Sequence, residues 1–142
     1  MIGLLFWLLT FVGCAYAAAL GGRDGRWAAL LIIGASVLTI PATRLGSNWA
    51  RTEYLILAVD LLLLIGLYVL ALHSRRYFPI WMAGLHLIAV LTHISTLVAP
   101  HYAPQIYRAL ESLWAIPMTL CMMWGIHLDR RQAKQTTARP AL

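Results

Sequence analysis

Five apolar runs follow one another along this chain, at about Ile2–Leu20, Trp27–Leu45, Tyr54–Leu72, Pro79–Val98 and Tyr107–Leu128. Each is close to the ~20 residues a helix needs to cross a hydrocarbon layer of ~30 Å. No water reaches the backbone in that layer, so only helices or closed barrels satisfy its polar groups. The runs do not alternate polar with apolar residues, which argues against a barrel. The expectation is an all-α, polytopic transmembrane helix bundle of five spans. Residues 1–128 would form one transmembrane domain, and 129–142 a polar, partly disordered cytoplasmic tail.

Composition points the same way. Of the 142 residues 61% are apolar and 11% charged, against roughly 25% charged in globular chains. A soluble domain of this size has too little interior for so much apolar surface. The net charge of +6 does not imply nucleic acid, because the basic residues lie at the breaks between runs rather than in one patch. Ten arginines against the single Lys134 fit a GC-rich bacterial genome, and so a bacterial cytoplasmic membrane. Cys14 and Cys121 both sit inside apolar runs with no CxxC pair, so neither a disulfide framework nor a structural zinc site is expected. The first run lacks a basic leader and is long enough to span, so it is expected to stay as a helix despite Ala15-Tyr16-Ala17 and the lipoprotein-like Phe11-Val12-Gly13-Cys14.

The breaks are short. Gly21-Gly22-Arg23-Asp24-Gly25-Arg26 reads as a plain tight turn, lacking the strand that a phosphate-binding glycine loop requires. Leu45–Glu53 is expected along the membrane surface, and His73-Ser74-Arg75-Arg76 links runs three and four ahead of the first-turn proline Pro79. Orientation follows the basic residues. With the N-terminus outside, Arg23, Arg26, Arg75, Arg76, Arg130, Arg131, Lys134 and Arg139 face the cytoplasm, and Arg44, Arg51 and Arg108 the outside. Trp7, Trp49, Tyr54, Tyr102 and Tyr107 then fall at the outer interface, with Trp27, Tyr77, Trp81 and Trp124 at the inner one. Gly13, Ala17 and Gly21 form a small-residue face suited to close helix contact. Pro117 removes a bond to the Leu113 carbonyl and is expected to kink run five.

Ionisable groups within a membrane are costly and by default face the protein interior. Asp60, His86, His93 and Glu111 are such groups. At 1.5 Å per residue Asp60 lies ~9 Å, His93 ~8 Å and Glu111 ~6 Å from the outer ends of their runs. Three consecutive helices thus bring polar groups to one level, and Arg108, Thr39, Thr43, Thr92 and Thr96 are in reach. On run four Met82, His86, Ala89, His93 and Thr96 share one stripe, with Leu87, Leu91, Ile94 and Val98 opposite. On run three Glu53, Leu57, Asp60, Leu64 and Leu67 align. On run five Arg108, Glu111, Ser112 and Ala115 do so. A polar pocket of Asp60, His93, Glu111, Arg108 and His86, open toward the outer face, is expected.

The commonest role for such a pocket is structural, with Asp60 bonded to His93 and Glu111 paired with Arg108. A metal site of Asp60, His93, Glu111 and His101 is chemically possible but has no diagnostic spacing. A proton or cation relay through Asp60 and His93 is another use. Haem is disfavoured, because His86 and His93 are seven residues apart on one run and neither has a partner histidine at its depth. No nucleophile motif, HExxH or phosphate loop occurs, so no enzyme activity and no cofactor are expected. Five helices enclose little volume, which favours a homo-oligomer or a larger membrane complex, and a non-enzymatic accessory or assembly subunit first. A small oligomeric channel or proton/cation-coupled transporter is the alternative, and a haem- or metal-binding membrane redox protein the third.

Overall fold

The computed structural model describes residues 2–45, 49–98 and 104–138, with side-chain surroundings over 7–41, 54–95, 97–98 and 113–136. These residues form five α-helices: α1 (Ile2–Leu20), α2 (Gly22–Leu45), α3 (Trp49–His73), α4 (Phe78–Val98) and α5 (Pro104–Ala138). Three of them are long and apolar enough to cross a membrane, over Gly22–Pro41, Tyr54–His73 and Phe78–Ser95. Trp7–Leu20 is a shorter apolar stretch.

Three boundaries differ from the expectation. Trp49–Glu53 forms the first turn of α3 instead of a separate surface segment. The turn after the first run is also much shorter: α2 begins at Gly22, with Gly22 at φ 64°. That left-handed conformation is one glycine adopts without steric cost. The polar residues after Leu128 continue α5 to Ala138. Gln132, Ala133, Lys134 and Gln135 are good helix formers, and Thr136 Oγ1 donates to Gln132 O at 3.0 Å. Helix α5 continues through Pro117 without interruption.

Each helix packs against its neighbours in sequence, and α5 packs against α1, which closes a ring. The closing contact is parallel: Gly13 lies against Thr119 and Met122, and Gly21 against Ile126. A Cβ on Gly21 would sit 2.5 Å from Ala17 O and 2.9 Å from Ile126 Cδ1. The Gly13, Ala17, Gly21 face therefore does what its spacing implied, letting α1 approach α5 closely. Gly125 meets Phe78 in the same way where α5 crosses α4.

The interior divides along its axis. The half nearest the α1–α2 and α3–α4 turns is filled by apolar side chains, among them Ala17, Ala28, Leu67, Phe78, Met82, Met122 and Ile126. The outward faces are apolar as well, with Leu8, Phe11, Leu30, Val37, Leu62, Ile65, Leu87, Leu91 and Leu120 exposed. Trp27, Tyr77, Trp81 and Trp124 are exposed near the turn end, and Trp7 and Tyr54 near the other.

Candidate functional site

In the other half of the ring the helices border a partly open cavity of about 230 Å³. All five helices line it: Thr10 from α1, Ala35, Ser36 and Thr39 from α2, Asp60 from α3, His86, Ala89 and His93 from α4, and Ala115 and Thr119 from α5. Ile32, Leu63 and Met118 line it as well and belong also to the apolar core, so the cavity borders that core directly.

The stripe on α4 determines which groups reach this cavity. Met82, His86, Ala89 and His93 are buried, while Leu87, Leu91, Ile94 and Val98 on the opposite side are exposed. His93, 2% exposed, places Nδ1 at 3.1 Å from Asp60 Oδ2. Asp60 and His93 thus meet across α3 and α4. His86 does something else. Its Nε2–H donates to the main-chain carbonyl of Asp60 at 3.0 Å, from about two helical turns before His93 on α4. That bond ties α4 to the backbone beneath the carboxylate and makes the neutral Nε2–H tautomer sufficient for His86.

The hydroxyls in the cavity wall are mostly turned back on their own helices. Ser36 donates to Ile32 O at 2.8 Å, Thr39 to Ala35 O at 2.9 Å and Thr119 to Ala115 O at 2.8 Å. Their oxygens keep acceptor capacity toward the cavity. Trp114 Nε1, one residue from Ala115, is buried with no hydrogen-bond partner among the described residues.

Of the other residues expected here, Thr92 bonds Ile88 O and is not in the lining. The side chains of Arg108, Glu111, Thr43 and Thr96, and the whole of His101, lie outside the described residues. Among the described residues no group of three His, Cys, Asp or Glu side chains is placed to hold a metal ion. Thr10, Ser36 and Thr119 entered no sequence argument, since a lone hydroxyl in an apolar run reads as a back-bonded one.

A second polar cluster lies at the turn end, and it too went unread in the sequence. Ser74 Oγ donates to Asp24 Oδ2 at 2.7 Å, and Arg76 N donates to Ser74 Oγ at 3.0 Å. Arg76 Nη1 donates to Gly21 O at 2.8 Å, and Arg76 Nε stands 3.9 Å from Asp24 Oδ2 and 3.6 Å from Asp129 Oδ2. One arginine thus joins the α1–α2 turn, the α3–α4 turn and the end of the apolar part of α5. Arg76 was expected only as one of the cytoplasmic basic residues; its side chain also closes this clasp.

No family model matches this chain, and neither a curated protein nor a solved structure is significantly similar to it.

Proposed function

We propose that this chain is a multi-pass protein of the bacterial cytoplasmic membrane that handles protons or a small cation through its Asp60–His93 pair. All five helices would cross, with the N-terminus outside and the C-terminal end of α5 in the cytoplasm. The observation that carries the functional part is a carboxylate and an imidazole in contact at 3.1 Å within a cavity walled by five helices. Their apolar outward faces support the membrane setting. The cavity volume is below the roughly 300–1,000 Å³ of pockets for drug-sized ligands, which favours water, a proton or a small cation as the occupant. Intramembrane carboxylates and histidines most often serve such paths when they are not purely structural.

The test is flux into proteoliposomes with a trapped pH indicator, after an imposed pH or cation gradient. Wild type is expected to conduct. Asp60→Asn keeps the shape and hydrogen-bonding capacity of the side chain but not its titration, and is expected to fall to the background of empty vesicles while accumulating normally. Equal flux for wild type and Asp60→Asn rejects the reading, as does no flux in wild type. Topology is tested separately, after Cys14 and Cys121 are replaced by alanine. Single cysteines at position 23, in the 73–76 turn and in the tail should resist an impermeant thiol reagent added outside, while positions 48 and 102 should label. Outside labelling of the 73–76 turn rejects the five-span arrangement.

One observation favours a second reading, that of an accessory or assembly subunit in an oligomer or larger membrane complex. Between α3 and α4 an apolar groove of about 710 Å³ has Ala71, Ala83 and Gly84 in its lining, and a Cβ added to Gly84 would meet nothing within 4 Å. Small residues of this kind let another membrane helix approach closely. Co-purification of a defined partner in mild detergent supports this reading, and a homogeneous monomer opposes it.

A further inference from the structure

A different groove runs between α2 and α3 at the turn end of the bundle, with a volume of about 650 Å³. Its wall is apolar, formed by Leu31, Val69 and Leu70. The two helices meet at Gly66, where a Cβ would lie 2.6 Å from Leu31 Cδ2, so the contact closes the groove from behind. Its mouth is polar, with Arg23 and His73.

The charge at that mouth is directed outward. Asp24 also borders it, but its Oδ2 accepts from Ser74 at 2.7 Å and faces Arg76. The Arg23 side chain is 83% exposed, and its Nε stands 4.0 Å from Asp24 Oδ1, the outer limit of an ion pair. Most of the guanidinium donors therefore point away from the protein. His73 Nδ1–H donates to Val69 O at 2.9 Å, which turns Nε2 away from the helix. Trp27, 55% exposed in the same groove, is the residue type that settles at the headgroup level. An apolar trough that ends in a largely exposed arginine at this level matches one class of molecule.

We propose that the α2–α3 groove binds an anionic phospholipid, with an acyl chain along Leu31, Val69 and Leu70 and the headgroup phosphate at Arg23. A guanidinium recognises a phosphate by paired N–H donors, at closer range than a diffuse surface charge. The α3–α4 groove provides an internal contrast: it is lined by apolar residues with Tyr68 and has no charged residue in its lining, so it has no means of choosing among headgroups. The proposal rests on the membrane reading above, and on the orientation only for the choice of leaflet.

The test uses the full chain, purified in mild detergent and examined by native mass spectrometry with phosphatidylglycerol and phosphatidylcholine of identical acyl chains. Wild type is expected to retain one phosphatidylglycerol in about fivefold preference, the effect of one interfacial basic residue. Arg23→Gln should bring the two lipids to parity. Val69→Trp, at an exposed position that tolerates bulk, should remove the retained lipid by filling the trough. Arg75→Gln, an exposed arginine outside the groove, should keep the preference. A preference that survives Arg23→Gln, or that falls equally in Arg75→Gln, overturns the proposal. Failure of the membrane reading is separately visible, because the chain would then be extracted from membranes by alkaline carbonate, and the groove would fall with it.

Discussion

The two ends of the ring use polar side chains in opposite ways. At the turn end Asp24, Ser74, Arg76 and Asp129 are joined to one another and to Gly21 O, and the interior beside them is filled with leucine, methionine and phenylalanine. In the other half the hydroxyls of Ser36, Thr39 and Thr119 return to their own helices, and Asp60 and His93 share a cavity. The first arrangement connects three separate parts of the chain. The second connects α3 to α4 and leaves acceptor groups facing a volume. Stability should therefore respond mainly to changes at the clasp, and activity mainly to changes in the cavity.

The strongest challenge to that division is Arg76→Gln. It removes a charged hydrogen bond to Gly21 O and both ionic contacts, and is expected to cost about 2 kcal/mol, since bonds to charged groups contribute roughly 1.5–3. The readout is the thermal unfolding midpoint in detergent, with flux unchanged below the transition. Ser74→Ala should cost about 1 kcal/mol by the loss of its bond to Asp24. Asp129→Asn should cost less, about 0.5 kcal/mol, because its oxygen makes an ionic contact with the part-exposed Arg76 and no hydrogen bond. Within the cavity His93→Gln should change the midpoint by an amount equivalent to about 0.6 kcal/mol, the average for polar contacts within membranes, yet reduce flux to background. Ser36→Ala should be the mildest, with flux retained and stability within about 0.5 kcal/mol. A midpoint loss from His93→Gln exceeding that from Arg76→Gln would reverse the division and make the Asp60–His93 pair the structural lock.

Much of the fold was legible along the chain. The first run, Ile2–Leu20, coincides with α1, and the run Pro79–Val98 with α4 to within one residue. The stripe that buries His86 and His93 follows from helical periodicity alone. The start of α3 was less legible, because Trp49–Glu53 has the polarity of a surface segment as well as of a first helical turn. The same ambiguity hid the continuation of α5 to Ala138, since polar helix formers also compose disordered tails. The clasp was hidden for a further reason. Arg76 and Asp24 lie at span ends, where charge is expected for topology alone, and nothing local signals that Arg76 reaches Gly21, 55 residues away.

Depth was determined by the sequence itself. A helix rises a constant 1.5 Å per residue, so Asp60 and His93 were bound to similar levels once their runs were recognised. Lateral position was not. That α5 closes on α1 depends on Gly13 and Gly21 meeting Thr119 and Ile126, a contact over more than a hundred residues that no local pattern encodes. That closure brings Thr10 and Thr119, from α1 and α5, to one cavity. The packing of α4 against α3 decides that His93 faces the carboxylate of Asp60 while His86 faces its carbonyl. Rise is a property of one helix, whereas adjacency and enclosed volume are properties of how all five pack.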